Sequence, residues 1–293
     1  MTDSPSDPSR GVTEETEQTY CYAHTDTPTR LRCTRCDRPI CGRCAIPASV
    51  GQHCPECVAE ARRAAPKIRS TMTATAPGIV ALVAVNVVLF IGQRLPLELT
   101  QRFAAFPPAI AGGEWYRLVT AMFLHSPTVF FHILFNMLVL WIYGPYVEKA
   151  FGTARFLAMY FIAGFFASAT SYTFGSCVGS LGASGAIFGV VGILLVYAYN
   201  RRTSAYVREF MRGLLVFVGI NAVLGFIIPN VDWIAHLGGL MAGIALGAGF
   251  DRPSGATPAA RQIATALAVG GLGVLLVVAR TASFTCAGIG FFS

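Results

Sequence analysis

From Gly78 onward, long apolar runs alternate with short polar interruptions; before Gly78 the chain is polar and rich in cysteine. Apolar runs fall at 78–95, 128–147, 154–174, 184–200, 213–229, 232–250 and 262–279. Their lengths suit the ~17–25 residues a helix needs to cross a bilayer, so seven membrane-spanning helices are expected. The stretch 96–127 is too long for a tight turn and is semi-apolar, with Phe103, Phe106, Trp115 and Tyr116; it should lie in or on the membrane interface. Ahead of the helices, residues 1–20 are polar without an apolar core, which predicts a disordered tail and no cleavable signal peptide. Residues 21–58 form a cysteine-rich module, 59–77 a basic linker with Arg62, Arg63, Lys67 and Arg69, 78–280 the membrane domain and 281–293 a C-terminal tail.

Composition agrees with this division. Hydrophobic residues make up 54% and charged residues 13% of the 293, with a mean hydropathy of +0.57, whereas soluble domains carry about 25% charge. An ordinary soluble enzyme is excluded, as is disorder over most of the length. The expected fold class is an all-α polytopic membrane protein preceded by a small zinc-stabilised module. With a cytoplasmic amino terminus, twelve basic residues fall on inside segments (Arg62, Arg63, Lys67, Arg69, Lys149, Arg155, Arg201, Arg202, Arg208, Arg212, Arg252, Arg261) and four on outside ones (Arg94, Arg102, Arg117, Arg280). That is the positive-inside bias. The net charge of +7 is thus a topology signal rather than a sign of a nucleic-acid partner, and the plasma membrane is the expected location.

Seven of the nine cysteines lie in the module, arranged with one histidine as four pairs: Cys21–His24, Cys33–Cys36, Cys41–Cys44 and Cys54–Cys57. A two-residue gap lets one turn offer both ligands to one metal, and four ligands complete a tetrahedral site. Two structural zinc ions are therefore expected, since a reducing cytoplasm disfavours disulfides and so small a module lacks a core of its own. The short link from Cys36 to Cys41 suits a cross-brace, pairs one and three on one ion and two and four on the other. The module resembles a B-box-type zinc finger, which uses that layout, although it is unusually Cys-rich at its end and His53 offers an alternative to Cys54. It reads as a folded cytoplasmic knob or as a docking site for a protein partner or substrate. Cys177 and Cys286 lie apart from it, as bystanders to the zinc sites that an oxidising exterior would allow to pair.

Ionisable residues within spanning helices are costly and mark function by default. Of five histidines, two fall inside the apolar runs, His132 and His236. In the topology above, both lie near the outer ends of inward-running helices, as does Ser184, with Asn136 one turn below His132. A serine becomes a nucleophile when a histidine takes its proton, and a tetrahedral intermediate needs donors around its oxyanion. Either histidine could be the base, with Asn136 and the other histidine as donors, so acyl transfer inside a membrane is the economical reading. Gly182-Ala183-Ser184-Gly185 is a small-residue turn into a helix. Glycines 185, 189 and 192 and glycines 239, 243 and 247 form faces that would let two helices meet backbone to backbone. His125 reads as structural and Asp232 as the cap of its helix.

These pieces together resemble the rhomboid family of intramembrane serine proteases. They are Glu114-Trp115-Tyr116-Arg117, His132-Ile133-Leu134-Phe135-Asn136, Gly182-Ala183-Ser184-Gly185 and Ala235-His236-Leu237-Gly238-Gly239, in order. The resemblance implies a six-helix core plus a seventh helix, with Ser184 as nucleophile, His236 as general base and His132, Asn136 and the Ser184 backbone at the oxyanion. Catalysis would need no cofactor. It also implies that Phe188 sits beside His236, that Trp115 and Arg117 anchor the interfacial segment, and that Glu148 makes a structural contact. Substrates would be transmembrane segments of other membrane proteins, presented in lipid, at an active site opening to the outer face. The rival reading is a catalytically silent relative that binds or escorts membrane clients; a transporter would need midplane charges or broken helices in paired halves.

Overall fold

The computed structural model describes residues 18–48, 50–64, 76–229, 231–252 and 257–286. The expected tail up to residue 17, Lys67 and Arg69 of the linker, and the C-terminal tail from 287 lie outside the described residues. The chain divides into two compact units, Met1–Arg69 and Ser70–Ser293.

In the first unit β1 (Tyr20–Cys21) pairs antiparallel with β2 (His24–Pro28), and β3 (Ile46–Pro47) with β4 (Gln52–His53); α1 (Pro55–Ala64) follows. Its interior is six buried cysteines and one aliphatic side chain, Ile40. So little apolar burial cannot offset the entropy of ordering the chain, so the unit depends on its thiols for a cross-link.

The second unit is helical. After α2 (Pro77–Gly92) come three short helices, α3 (Leu99–Phe103), α4 (Pro107–Ala111) and α5 (Arg117–Thr120), and a 3-10 turn at Ala121–Phe123. Six long helices complete it: α6 (Phe130–Phe151), α7 (Thr153–Phe174), α8 (Ser184–Asn200), α9 (Ala205–Ile227), α10 (Trp233–Phe250) and α11 (Ala259–Ala282). The seven long helices coincide with the seven apolar runs. Five, α6, α7, α9, α10 and α11, are long and apolar enough to span a membrane, and α2 and α8 are shorter apolar helices of 16 and 17 residues. The main difference from the apolar pattern is α9, which starts at Ala205 rather than 213. Arg208, Glu209 and Arg212 are good helix formers, and an Arg212–Glu209 ion pair at 3.4 Å bridges the added turn.

Three polar devices join helix ends. The buried Glu148 carboxylate, at the end of α6, accepts the orphan N–H groups of Gly78 (2.8 Å) and Ile79 (3.0 Å) and the hydroxyl of Thr153 (2.7 Å), capping α2 from a neighbouring helix. Arg201, just past α8, makes a bidentate pair with Asp251, just past α10 (2.6 and 2.9 Å). A disulfide joins Cys177, after α7, to Cys286, after α11, across a Cα separation of 6.0 Å. These two cysteines are therefore partners rather than bystanders.

α8 lies at the centre, packed by α6, α7, α9 and α10, with eleven of its seventeen residues buried. Its contact with α10 is backbone on backbone: a Cβ on Gly239 would lie 1.9 Å from the Gly185 carbonyl oxygen, and one on Gly243 2.0 Å from that of Gly189. Only small residues permit such an approach. Gly243→Ala must therefore push the helices apart, at a cost of about 1–3 kcal/mol, while Gly270→Ala, with open space around it, should be neutral or slightly stabilising. Thermal unfolding in detergent checks the pair; equal midpoints would contradict the close contact.

Candidate active site

Ser184 is the first residue of α8. The turn before it is fixed from outside: Ser180 and Ala105 exchange backbone hydrogen bonds of 2.9 Å, and the Gly182 N–H donates to the Ala121 carbonyl (3.0 Å). Gly182 has φ +134°, open to glycine but strained for other residues. An added Cβ there would sit 2.9 Å from His132 Nε2 and 3.6 Å from Ser184 Oγ. The space above Gly182 is thus where the serine hydroxyl and the His132 imidazole converge.

His132, in the first turn of α6, has its tautomer set by its neighbour. The Ser126 N–H donates to His132 Nδ1 (3.2 Å), so the ring proton resides on Nε2, the nitrogen facing Gly182 and Ser184. Asn136 lies one turn deeper, buried, and its amide donates to the His132 carbonyl (2.7 Å). His236, in the first turn of α10, stacks on Phe188 of α8 with centroids 4.4 Å apart and planes 11° from parallel. The Gly185–Gly239 approach sets this turn against the start of α8. Among the described residues, no hydrogen bond links Ser184 Oγ to the His236 ring; such contacts are often loose without substrate.

Asp232 is the N-cap of α10, as expected, with Oδ1 accepting the Ala235 N–H (2.9 Å). Its Oδ2 does more, accepting the hydroxyls of Ser171 (2.5 Å) and Ser180 (2.6 Å). These three residues line one cavity with Ser184 and Gly182. His125 is fully buried and packs edge-on against His132 at 5.1 Å. Its backbone is clamped by the Gln93 side chain, which donates to the His125 carbonyl (2.9 Å) and accepts its N–H (3.0 Å). At the start of α5, the buried Arg117 binds Glu114 (2.6 Å) and the carbonyls of Gln101 and Ala104. Arg117, then Tyr116, hold the Glu114 carboxyl below the usual carboxylate range. Trp115 is exposed.

In the first unit the ligand atoms of Cys21, His24, Cys41 and Cys44 lie within 4.8 Å of one another, and so do those of Cys33, Cys36, Cys54 and Cys57. This is the cross-braced pairing, with Cys54 rather than His53 in the second cluster. The Cys21–Cys44 and Cys36–Cys54 sulfurs are both 3.8 Å apart, close to the tetrahedral edge expected of ~2.3 Å metal–sulfur bonds. His24 Nδ1 stands 3.3 to 3.8 Å from the three sulfurs of its cluster. Crowding resists full ionisation of each cluster: burial, with the Cys21 and Cys41 thiols, pushes Cys44 up to about 11, and the Cys54 hydrogen bond, with burial, pushes Cys57 up to about 12. At Cys21 and Cys33, by contrast, burial is outweighed by hydrogen bonds, which bring both down to about 6. A divalent cation relieves that repulsion.

A Rhomboid domain profile matches residues 112–252, a stretch that takes in His132, Asn136, Ser184 and His236. YdcA of Bacillus subtilis is 34% identical over 138 residues, 47% of this chain and 68% of YdcA. The chain belongs to the rhomboid family. The Rhomboid protease GluP of Bacillus subtilis is 40% identical over 160 residues, 55% of this chain and 31% of GluP. RHOMBOID-like protein 1 of Arabidopsis thaliana is 40% identical over 136 residues, 46% of this chain and 34% of that protein. The chain thus spans about a third of the length of these two rhomboid proteins.

Sequence reasoning did not find Gln93, Ser126, Ser171 or Ser180. The serines recurring at 168, 171, 176 and 180 before Ser184 were the available sign of a polar lining, while the Ser126 contact uses a backbone N–H and leaves no mark in residue type. For the metal clusters, cobalt(II) titration of the full chain should saturate at two ions, with thiolate-to-metal absorption, and at one in Cys57→Ser. Saturation at one or none in the unaltered chain would contradict the two clusters.

Proposed function

We propose that the protein is an intramembrane serine endopeptidase, cutting peptide bonds in or near transmembrane segments of other membrane proteins. The observation that carries this reading is the convergence of Ser184 Oγ and His132 Nε2 on the space above Gly182, beside a His236 ring stacked on Phe188. The roles divide by proton position. His132 accepts at Nδ1 from Ser126 and so presents an N–H, which suits an oxyanion donor and not a base. The base is then His236. It takes the Ser184 proton as Oγ attacks the scissile carbonyl and returns it to the leaving amine. Water then hydrolyses the acyl-enzyme by the same route. Asn136 holds one amide hydrogen on the His132 carbonyl and has a second for the oxyanion, alongside the Ser184 backbone.

The length of α8 supports a buried reaction. Its 17 residues rise about 25 Å at ~1.5 Å each, less than a ~30 Å hydrocarbon core. With Arg201 at the cytoplasmic surface, Ser184 lies several ångströms beneath the opposite one. The basic-residue bias supports a cytoplasmic amino terminus and a site opening outward, in the plasma membrane. A substrate helix must unwind locally to offer its carbonyl, so small or helix-breaking residues near the cut are expected. We further infer that the two thiol clusters hold structural zinc and that this unit docks a cytoplasmic partner or substrate.

Ser184→Ala should abolish cleavage of a reporter transmembrane substrate in proteoliposomes, and Gly182→Ala should lower it by at least a hundredfold, because its methyl group fills the space the carbonyl oxygen would enter. Retained cleavage by Ser184→Ala sinks the mechanism. A folded unaltered protein that never cleaves but still binds the reporter favours the client-binding reading. Deleting residues 1–66 tests docking by the zinc unit: membrane proteomics should show a subset of substrates spared, and unchanged cleavage of all of them rejects the idea.

A further inference from the structure

An N-cap needs only one carboxylate oxygen, and Asp232 has a second that is also fully used. Oδ1 caps α10 through Ala235, while Oδ2 receives two hydroxyls from two other segments, Ser171 on α7 and Ser180 in the turn leading to Ser184. Both hydroxyls lie within hydrogen-bond reach of the one oxygen, at 2.5 and 2.6 Å. The turn is therefore gripped from two sides: its backbone is paired with Ala105 and Ala121, and its Ser180 side chain is drawn to the start of the helix that bears His236.

We propose that Asp232 is a positioning residue for the reaction, holding the Ser184 turn in register with the first turn of α10 through Ser180, with Ser171 as the fixed point on α7. It is not a third member of a relay, because among the described residues no hydrogen bond joins its carboxylate to the His236 ring; the only bond between the two residues runs from the His236 N–H to the Asp232 carbonyl (3.2 Å). Three residues separate Ser180 from Ser184, one of them the conformationally free Gly182, so a released Ser180 lets the hydroxyl drift. A shift of about 1 Å in a reacting group is enough to cost up to ~100-fold in rate. The inference rests on the protease reading above.

The test uses full-length protein carrying Ser180→Ala, Ser180→Thr, Asp232→Ala or Asp232→Ala with Ser180→Ala. Three quantities are read: kcat and KM on the reporter substrate, the rate of fluorophosphonate labelling, and the thermal midpoint. Ser180→Ala should lower kcat and the labelling rate about tenfold, the worth of one hydrogen bond, with KM within about twofold and the midpoint lowered by no more than a few degrees. Ser180→Thr, which keeps the hydroxyl, should recover the loss, and the double variant should be no slower than Asp232→Ala alone. Wild-type rates in Ser180→Ala, a loss that Ser180→Thr does not recover, or additive effects would overturn the proposal while leaving the protease reading intact. If the unaltered protein neither labels nor cleaves, the protease reading fails and this inference fails with it.

Discussion

The contact of α8 with α10, backbone against backbone, is the constraint on which the rest of the structure depends. Where Gly185 meets Gly239 and Gly189 meets Gly243, a side chain on Gly239 or Gly243 would occupy space already held by a carbonyl oxygen of α8, and one on Gly185 or Gly189 would run into Ala167 or Ala163 of α7. This close approach sets the first turn of α10 against the start of α8, and Phe188 stacks on the His236 imidazole. In a bilayer no hydrophobic force brings helices together, since lipid is as apolar as the side chains; close packing and interhelical hydrogen bonds do so instead. The small-residue faces thus set both the fold and the spacing of the proposed dyad.

The second constraint is polar. A polar group taken into this unit is costly without a partner, and several of the partners found there lie at helix ends. Glu148 caps α2 from the end of α6, Arg201 binds Asp251 across the ends of α8 and α10, and Asp232 gathers α7, α10 and the turn before Ser184. The polar devices near Ser184 fix the turn and the His132 tautomer. A catalytic carbonyl would then meet groups already oriented, which is the cheapest way to stabilise developing charge. In the amino-terminal unit the same economy takes another form, with thiol clusters in place of an apolar core.

Much of this was legible in the sequence, for identifiable reasons. Apolar runs locate the long helices because burial in lipid demands them, and two-residue gaps pair metal ligands because one turn can present both. The start of α9 was missed because the helix already forms through Arg208, Glu209 and Arg212, ahead of the apolar run. Contacts that depend on tertiary placement left no local trace: Gln93 to His125 across 32 positions, Ser180 and Ser171 to Asp232 across 52 and 61, and Cys177 to Cys286 across 109. The histidine, asparagine, serine and glycine motifs could be placed from order and spacing. The direction of the His132 proton could not, because it is set by a backbone N–H.

The central claim is that Ser184 is a nucleophile made reactive by His236. Peptide mapping by mass spectrometry after treatment with a fluorophosphonate tests it most directly. The account predicts one adduct per chain, on Ser184, and its loss in a His236→Ala protein whose thermal midpoint is unchanged. An adduct on another residue, or undiminished labelling of Ser184 without His236, would contradict it.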